Sequence, residues 1–234
     1  MKDFDIVEQA KKEFKKLAKE DPMLVAEIKK KIDILKQEQY ELLDIKTITG
    51  KRKYKIQEIR LKYPTECRVF FHIIVMDDKI IIAGVEKKKV NKFPEAYWKN
   101  LENRIDTYLD WKWGIKMKID DFFNELIDEN EELKNSIELI DVKYKVIQAL
   151  YSFRKANSLS QKKKKKKIGV KQQAISRFEK GEIDPRLSFI EKVLQGINSE
   201  VIIESKTYIK MNRTLEFKSK TKKIEPSKYK LALS

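Results

Sequence analysis

Apolar residues recur along this chain with two different periods. Between Glu8 and Lys36 they fall every three or four positions: Ala10, Phe14 and Leu17, then Val25, Ile28, Ile32 and Leu35. Residues so spaced share one face of a 3.6-residue turn, which predicts two amphipathic helices. Asp21-Pro22 between them is a helix-start signal. Further on the pattern becomes that of strands. Residues 53–63 (KYKIQEIRLKY), 67–76 (CRVFFHIIVM) and 79–87 (KIIIAGVEK) are rich in β-branched and aromatic side chains. Short turn signals, Pro64-Thr65 and Asp77-Asp78, separate them, which predicts an antiparallel meander. Residues 95–110 return to helical spacing through Trp98, Leu101, Ile105 and Tyr108. With a short apolar stretch at Phe4–Val7, the order is strand, two helices, meander, helix. That is an α+β domain with a small antiparallel sheet.

The second part of the chain reads as all-α. Helices are expected over residues 118–129 and 141–157, the latter with Val146, Leu150 and Phe153 inward. Asp184-Pro185 opens another, with Leu187, Ile190, Val193 and Leu194. A short β-like piece follows at Glu200–Ile203, and the last thirty residues are basic with weak periodicity, which predicts strand fragments and a disordered tail. Gly114 in WKWGIK breaks a periodic helix. The expected organisation is residues 1–112, a linker at 113–117, a helical domain at 118–204 and a basic tail at 205–234.

Charge sharpens the picture. The chain holds 53 Lys and Arg against 37 Asp and Glu, a net +16 that favours polyanion partners. The excess is uneven: residues 118–141 carry nine acidic residues and two lysines between two basic modules. Cys67 is the single cysteine, so no internal disulfide is possible, which fits a reducing compartment. No apolar run approaches the ~20 residues of a membrane span, and the first residues lack a secretory apolar core. The expectation is a soluble, cytoplasmic protein with no membrane contact.

One stretch carries DNA-reading chemistry. Ser160 can cap a helix, Gly169 can end it, and a second helix runs from about Lys171 to Glu179, closed by Gly181. Burial of Ile175 and Phe178 against Val170 leaves Lys171, Gln172, Gln173, Ser176 and Arg177 outward. Gln pairs bidentately with adenine in the major groove and Arg with guanine. The stretch resembles the Xre-type helix-turn-helix family of phage repressors and antitoxins over about residues 141–197. The resemblance implies operator binding, with Gln161 joining the five residues above, and a homodimer reading a palindrome. One departure stands out. Where the family's first motif helix carries core Leu and Ala, this chain has Lys164 and Lys165 within the run Lys162–Lys167. Three explanations stay open: lysine stems packed over Ile168, a loosened module, or an adenine-tract slippage product.

The first module offers a different chemistry. Glu58, Arg60 and Lys62 alternate along one strand and share a face, Arg68 opens the next, and Lys87, Lys88, Lys89 and Lys92 follow the third. These can converge into a phosphate-gripping cluster, or they can guard a solvated sheet edge. The order "YKIQEIRLKY…CRVFFHIIVMDDKIIIAGVEKKKVNKFP" followed by an amphipathic helix resembles the RelE/HigB-type toxin superfamily over about residues 1–110. That resemblance implies metal-independent mRNA cleavage on the ribosome, with no cofactor. It implies Arg60, Arg68 and Lys88 as catalytic cations, and Lys62, Lys87, Lys89 and Lys92 as RNA contacts. Glu58 stands where some members carry a basic residue, and a carboxylate can serve as base for a 2′-hydroxyl or neutralise Arg60. Phe93 is the nearest aromatic for base stacking, and His72, the only histidine, shares strand parity with Arg68.

A toxin-like module followed by an antitoxin-like module on one chain implies a toxin–antitoxin fusion. It would be a latent endoribonuclease quietened by the acidic segment 118–141 lying across its basic surface. The alternative is a helix-turn-helix regulator whose toxin-like domain is non-catalytic.

Overall fold

The structure is a computed structural model and describes residues 3–75, 77–88, 93–110, 117–157, 170–199, 201–202 and 230–231. The lysine run Lys162–Lys167, Gly114, Ser160, Gln161, Gly169, Lys89 and Lys92 lie outside the described residues.

The first module follows the expected order. Strand β1 (Asp3–Ile6) leads into α1 (Glu8–Glu20) and α2 (Pro22–Lys36). Asp21 caps α2 by accepting from the Leu24 amide at 3.1 Å, and Pro22 occupies the first turn, where a missing N–H costs nothing. A single 3-10 turn at Tyr40–Leu42 then leads to β2 (Ile45–Thr47), β3 (Ile56–Leu61), β4 (Cys67–Ile74), β5 (Lys79–Lys87) and α3 (Glu95–Asp110). The sheet order is β1-β5-β4-β3-β2. β3, β4 and β5 form the antiparallel meander, but β1 pairs with β5 in parallel, so the sheet is mixed rather than antiparallel. The parallel pair arises because α1 and α2 carry the chain away from β1 before the meander begins, and β5 returns alongside it.

The two sheet faces are covered unequally. Ile59, Leu61, Val69, Phe71 and Val85 face α1 and α2 in the main core. Ile56, Phe70 and Ala83 face α3 in a smaller core closed by Phe93, Trp98, Leu101 and Ile105.

The helices that follow are built onto the first module. α4 (Ile119–Asp128) places Phe122 and Phe123 edge-on to Phe14 of α1, with ring centroids 5.9 and 5.5 Å apart. α5 (Glu131–Ala156) is one 26-residue helix, capped by Asn130 on the Leu133 amide at 2.9 Å, and it packs along α2. α6 (Gln172–Glu179) and α7 (Leu187–Gly196) rest on α5 through Ile175, Phe178, Val193 and Leu194. Leu187, expected inward, is 69% exposed at the first turn of α7. β6 (Val201–Ile202) pairs antiparallel with β7 (Lys230–Leu231). A single apolar core thus runs from Phe4 to Ile197, through both parts of the chain.

Candidate nucleic-acid interfaces

α6 is short, and its position depends on how its two ends are held. Its C-terminal end closes in a left-handed turn: Gly181 has φ 63°, its amide donates to Phe178 O at 2.8 Å, and the Glu182 amide donates to Arg177 O at 2.8 Å. Only glycine takes that conformation without a Cβ penalty. The same turn is docked on the first module. The Lys31 ammonium donates to the Lys180 carbonyl oxygen, and Glu182 accepts from Lys62 at 2.9 Å. From α5, Arg154 lies 3.8 Å from Glu179 while donating to Glu41 at 2.7 Å.

The N-terminal end of α6 is the outward one. Lys171, Gln173 and Arg177 are exposed, whereas Gln172 and Ser176 are half-buried. Ile175 and Phe178 fill the inner face, Phe178 lying edge-on to Phe189 at 5.2 Å. The helix is thus held by its C-terminal turn and presents polar side chains at its N-terminal end. Arg177 is also tethered: its Nε lies 4.0 Å from Glu182.

A buried ionic knot lies under the docked turn. Glu27 of α2 accepts from the Tyr144 hydroxyl at 2.7 Å and from the Lys143 ammonium. Burial pushes the Lys31 ammonium down to about 8, and Glu27 opposes that shift. Burial likewise raises the Tyr144 phenol well above its ordinary range, with the Glu27 charge adding to it. Sequence reading missed this knot. Its available signal was that Glu27 and Lys31, four residues apart, fall on the apolar stripe of α2, beside Val25, Ile28, Ile32 and Leu35.

On the sheet, Arg60 and Arg68 are direct cross-strand partners and Glu58 faces Phe70, so Glu58, Arg60 and Arg68 do come together. Arg68 donates to the buried Glu58 at 2.5 Å, Arg60 Nε lies 4.0 Å from the same carboxylate, and Arg60 Nη2 donates to Asp44 at 2.7 Å. The Nε atoms of Arg60 and Arg68 are buried with no hydrogen-bond partner. Lys88 pairs with Glu66 at 2.8 Å and holds that carboxyl below its usual range, with Arg68 and Lys62 contributing. Lys62 lies between Glu182 and Asp44, at 2.9 and 3.7 Å. Lys87 is not part of this group; it reaches the α1–α2 corner, 3.4 Å from Asp21. The partners Asp44, Glu66 and Glu182 carry no motif of their own in the sequence.

His72 is four residues along β4 from Arg68, ~13 Å at ~3.3 Å per residue. It faces Ile56, with Nδ1 3.1 Å from the Lys55 carbonyl oxygen. It stands apart from the arginines. Phe93 lies 5.9 Å below the Arg68 guanidinium, stacked on Tyr97 at 4.6 Å, and is built into the smaller core. The acidic segment 118–141 meets a different surface: Asp120 pairs with Lys36, Glu129 with Lys15 at 3.5 Å and Asp141 with Lys30 at 2.9 Å. Those lysines lie on α1 and α2. Among the described residues no group of His, Cys, Asp and Glu is arranged to hold a metal ion, and no helix is long and apolar enough to cross a membrane.

Comparison with curated proteins and with solved structures gives no match. Residues 150–201 match the Helix-turn-helix family, which covers the end of α5 together with α6 and α7. The C-terminal part of this chain is therefore a helix-turn-helix DNA-binding domain of the Xre-like kind, of the type found in transcription regulators.

Proposed function

We propose that the chain is a sequence-specific regulator that binds operator DNA as a homodimer, with a RelE/HigB-like first module fixed permanently to its reading domain. The observation that carries this is the anchoring of α6. Its C-terminal turn is pinned by Lys31, Lys62 and Arg154, while Lys171, Gln173 and Arg177 stand outward. Lys171 supplies a phosphate contact, Gln172 and Gln173 read adenine, Arg177 reads guanine, and Ser176 orients against the backbone. The test is selection of duplexes from a random pool by the full chain. A palindromic consensus is expected. Gln173→Ala and Arg177→Ala should each lower affinity for it by about 1–3 kcal/mol and relax the preference at one base pair. Recovery of no consensus, or one indifferent to both substitutions, rejects the assignment.

A second activity is favoured by the juxtaposition of Arg60, Arg68 and Glu58. In this reading the first module is a latent mRNA endoribonuclease. Arg68, Arg60 and Lys88 stabilise the charge of the scissile phosphate, Glu58 accepts the 2′-hydroxyl proton, and Lys62, Lys87, Lys89 and Lys92 bind flanking RNA. Its latency comes from the other carboxylates that occupy these cations, Asp44, Glu66 and Glu182. The full chain assayed on translating ribosomes should cut slowly, and Lys88→Gln and Arg68→Ala should each abolish cutting. Folded chain with no cutting above background leaves the regulator alone.

A further inference from the structure

α5 carries an apolar seam that is only half covered. Leu139, Val142, Val146, Ala149 and Phe153 recur at alternating steps of three and four residues, the spacing that lines one side of a helix for a second helix. Over the second half of α5 the seam is closed within the chain: Val146 is buried, and Ala149 and Phe153 pack against the main core. Over the first half it is open. Leu139 is 72% exposed and Val142 50%, while Leu133, Ile140 and Ile147 on the inner side of the same helix are buried. Among the described residues these are the only two large apolar side chains exposed on adjacent turns of one helix.

The charges beside the seam narrow what covers it. Glu138 and Lys145 flank the open pair on one side, one heptad apart. Glu138 is exposed and makes no ion pair among the described residues. Lys145 is half exposed, and its partner is Asp141 of its own helix, at 2.9 Å. An acid before the open pair and a base after it make this face complementary to itself in the antiparallel sense. With Leu139 set against Val142 of a second α5, Glu138 of each copy falls two residues from the level of the other's Lys145, about 3 Å along the axis. Side chains of that length span the offset. A two-fold axis then gives two Leu139–Val142 contacts and two Glu138–Lys145 pairs. A parallel pairing would set Glu138 beside Glu138 and Lys145 beside Lys145, which like charges oppose.

We propose that the exposed face of α5 around Leu139 and Val142 is the surface through which two copies of this chain pair, antiparallel across a two-fold axis. Because Val146 is already covered, the two helices cross at the open pair and do not run together along the rest of the seam. The proposal rests on the homodimer of the regulator reading and supplies its surface. The same axis relates the two copies of α6, as a palindromic site requires.

The test is sedimentation of the full chain over about 1–100 μM, the range suited to a contact at the small end of specific interfaces. Wild type should pass from monomer to dimer within it. Leu139→Asn, Glu138→Lys and Lys145→Glu should each weaken pairing about tenfold or more, the last two by setting like charges against each other. The double variant Glu138→Lys/Lys145→Glu should pair within about threefold of wild type, since both ion pairs are restored in reverse. An equimolar mixture of the two single charge variants should also recover pairing, because each then meets its opposite. All three positions are exposed, so none of these changes touches the core. A dimer indifferent to the substitutions, or charge variants that neither the double change nor mixing rescues, overturns this surface and leaves the homodimer standing. A chain that stays monomeric at 100 μM, about the upper limit of the titration, overturns both. A dimer that responds as expected yet selects no palindrome sinks the regulator assignment and leaves this surface intact.

Discussion

Lys62, at the end of β3, holds Glu182 at 2.9 Å, and the second oxygen of Glu182 lies 4.0 Å from Nε of Arg177. A side chain of the first module thus sets the electrostatic surroundings of an arginine on α6.

This relay has a measurable signature. Removing Lys62 takes away the ion-pair partner of Glu182 and strengthens its hold on Arg177, so Arg177 is held back from DNA. Lys62→Ala should weaken operator binding about two- to fivefold, the scale of an exposed ion pair. In a Glu182→Gln background the same substitution should have no effect, because the carrier of the effect is gone. Anisotropy titrations of the four proteins on one duplex decide it. An equal loss in both backgrounds would mean that only bulk charge matters.

Gly181 is the pivot of the docked turn. A Cβ there would meet Lys31 Nζ and Tyr144 Oη at 2.9 Å each, and its φ of +63° disfavours any L side chain. Gly181→Ala should cost about 2 kcal/mol or more, adding a left-handed penalty of about 1–2 kcal/mol to displacement of the buried knot. Urea denaturation measures the loss. DNA affinity should fall with it, since the turn fixes α6.

Lys31 makes stability depend on alkaline pH. Its folded value of about 8 lies below the ordinary 10.5. The unfolded chain therefore binds more protons between those values, and this group's contribution to stability rises as pH increases from about 8 to about 10.5. Below that window the buried charge is a standing cost of about 3 kcal/mol, at about 1.4 kcal/mol per unit. Lys31→Met keeps the stem and removes the charge. Subtracting its urea-derived stability curve from that of the wild type should leave this rise. A flat difference curve would refute the assignment.

Phe14, Phe122 and Phe123 join α1 to α4. Phe123→Ala should lose about 3–5 kcal/mol, as buried aromatic truncations do. A fragment of residues 1–112 loses the whole cover of this site, together with the α5 surface over α2. It should bind a hydrophobic dye strongly and lack a cooperative unfolding transition. A sharply melting, dye-silent fragment would contradict the continuity of the core.

Much of this architecture could be read from local pattern. α1, α2 and α3 carry full helical stripes, and the meander carries long β-branched runs, because each buries one face against a single neighbour. β2 escaped notice because it is three residues, Ile45–Thr47, too short to show a period. β1 was visible as an apolar stretch, but its parallel pairing is a long-range outcome without a local signal. α5 was expected only from residue 141, since the acidic residues Glu131, Glu132 and Glu138 conceal its first turns; the Asn130 cap was the missed cue. α6 was legible because Ile175, Phe178 and Gly181 have fixed spacing. The sheet cations were legible by strand parity, but their carboxylates were not. Glu182 reaches Lys62 from 120 residues away, and no spacing rule spans that distance.

The shared core also bears on control. Residues of both halves lie in one apolar core, so digesting either half strips cover from the other. Any signal that loosens one half should therefore be felt in the packing of the other.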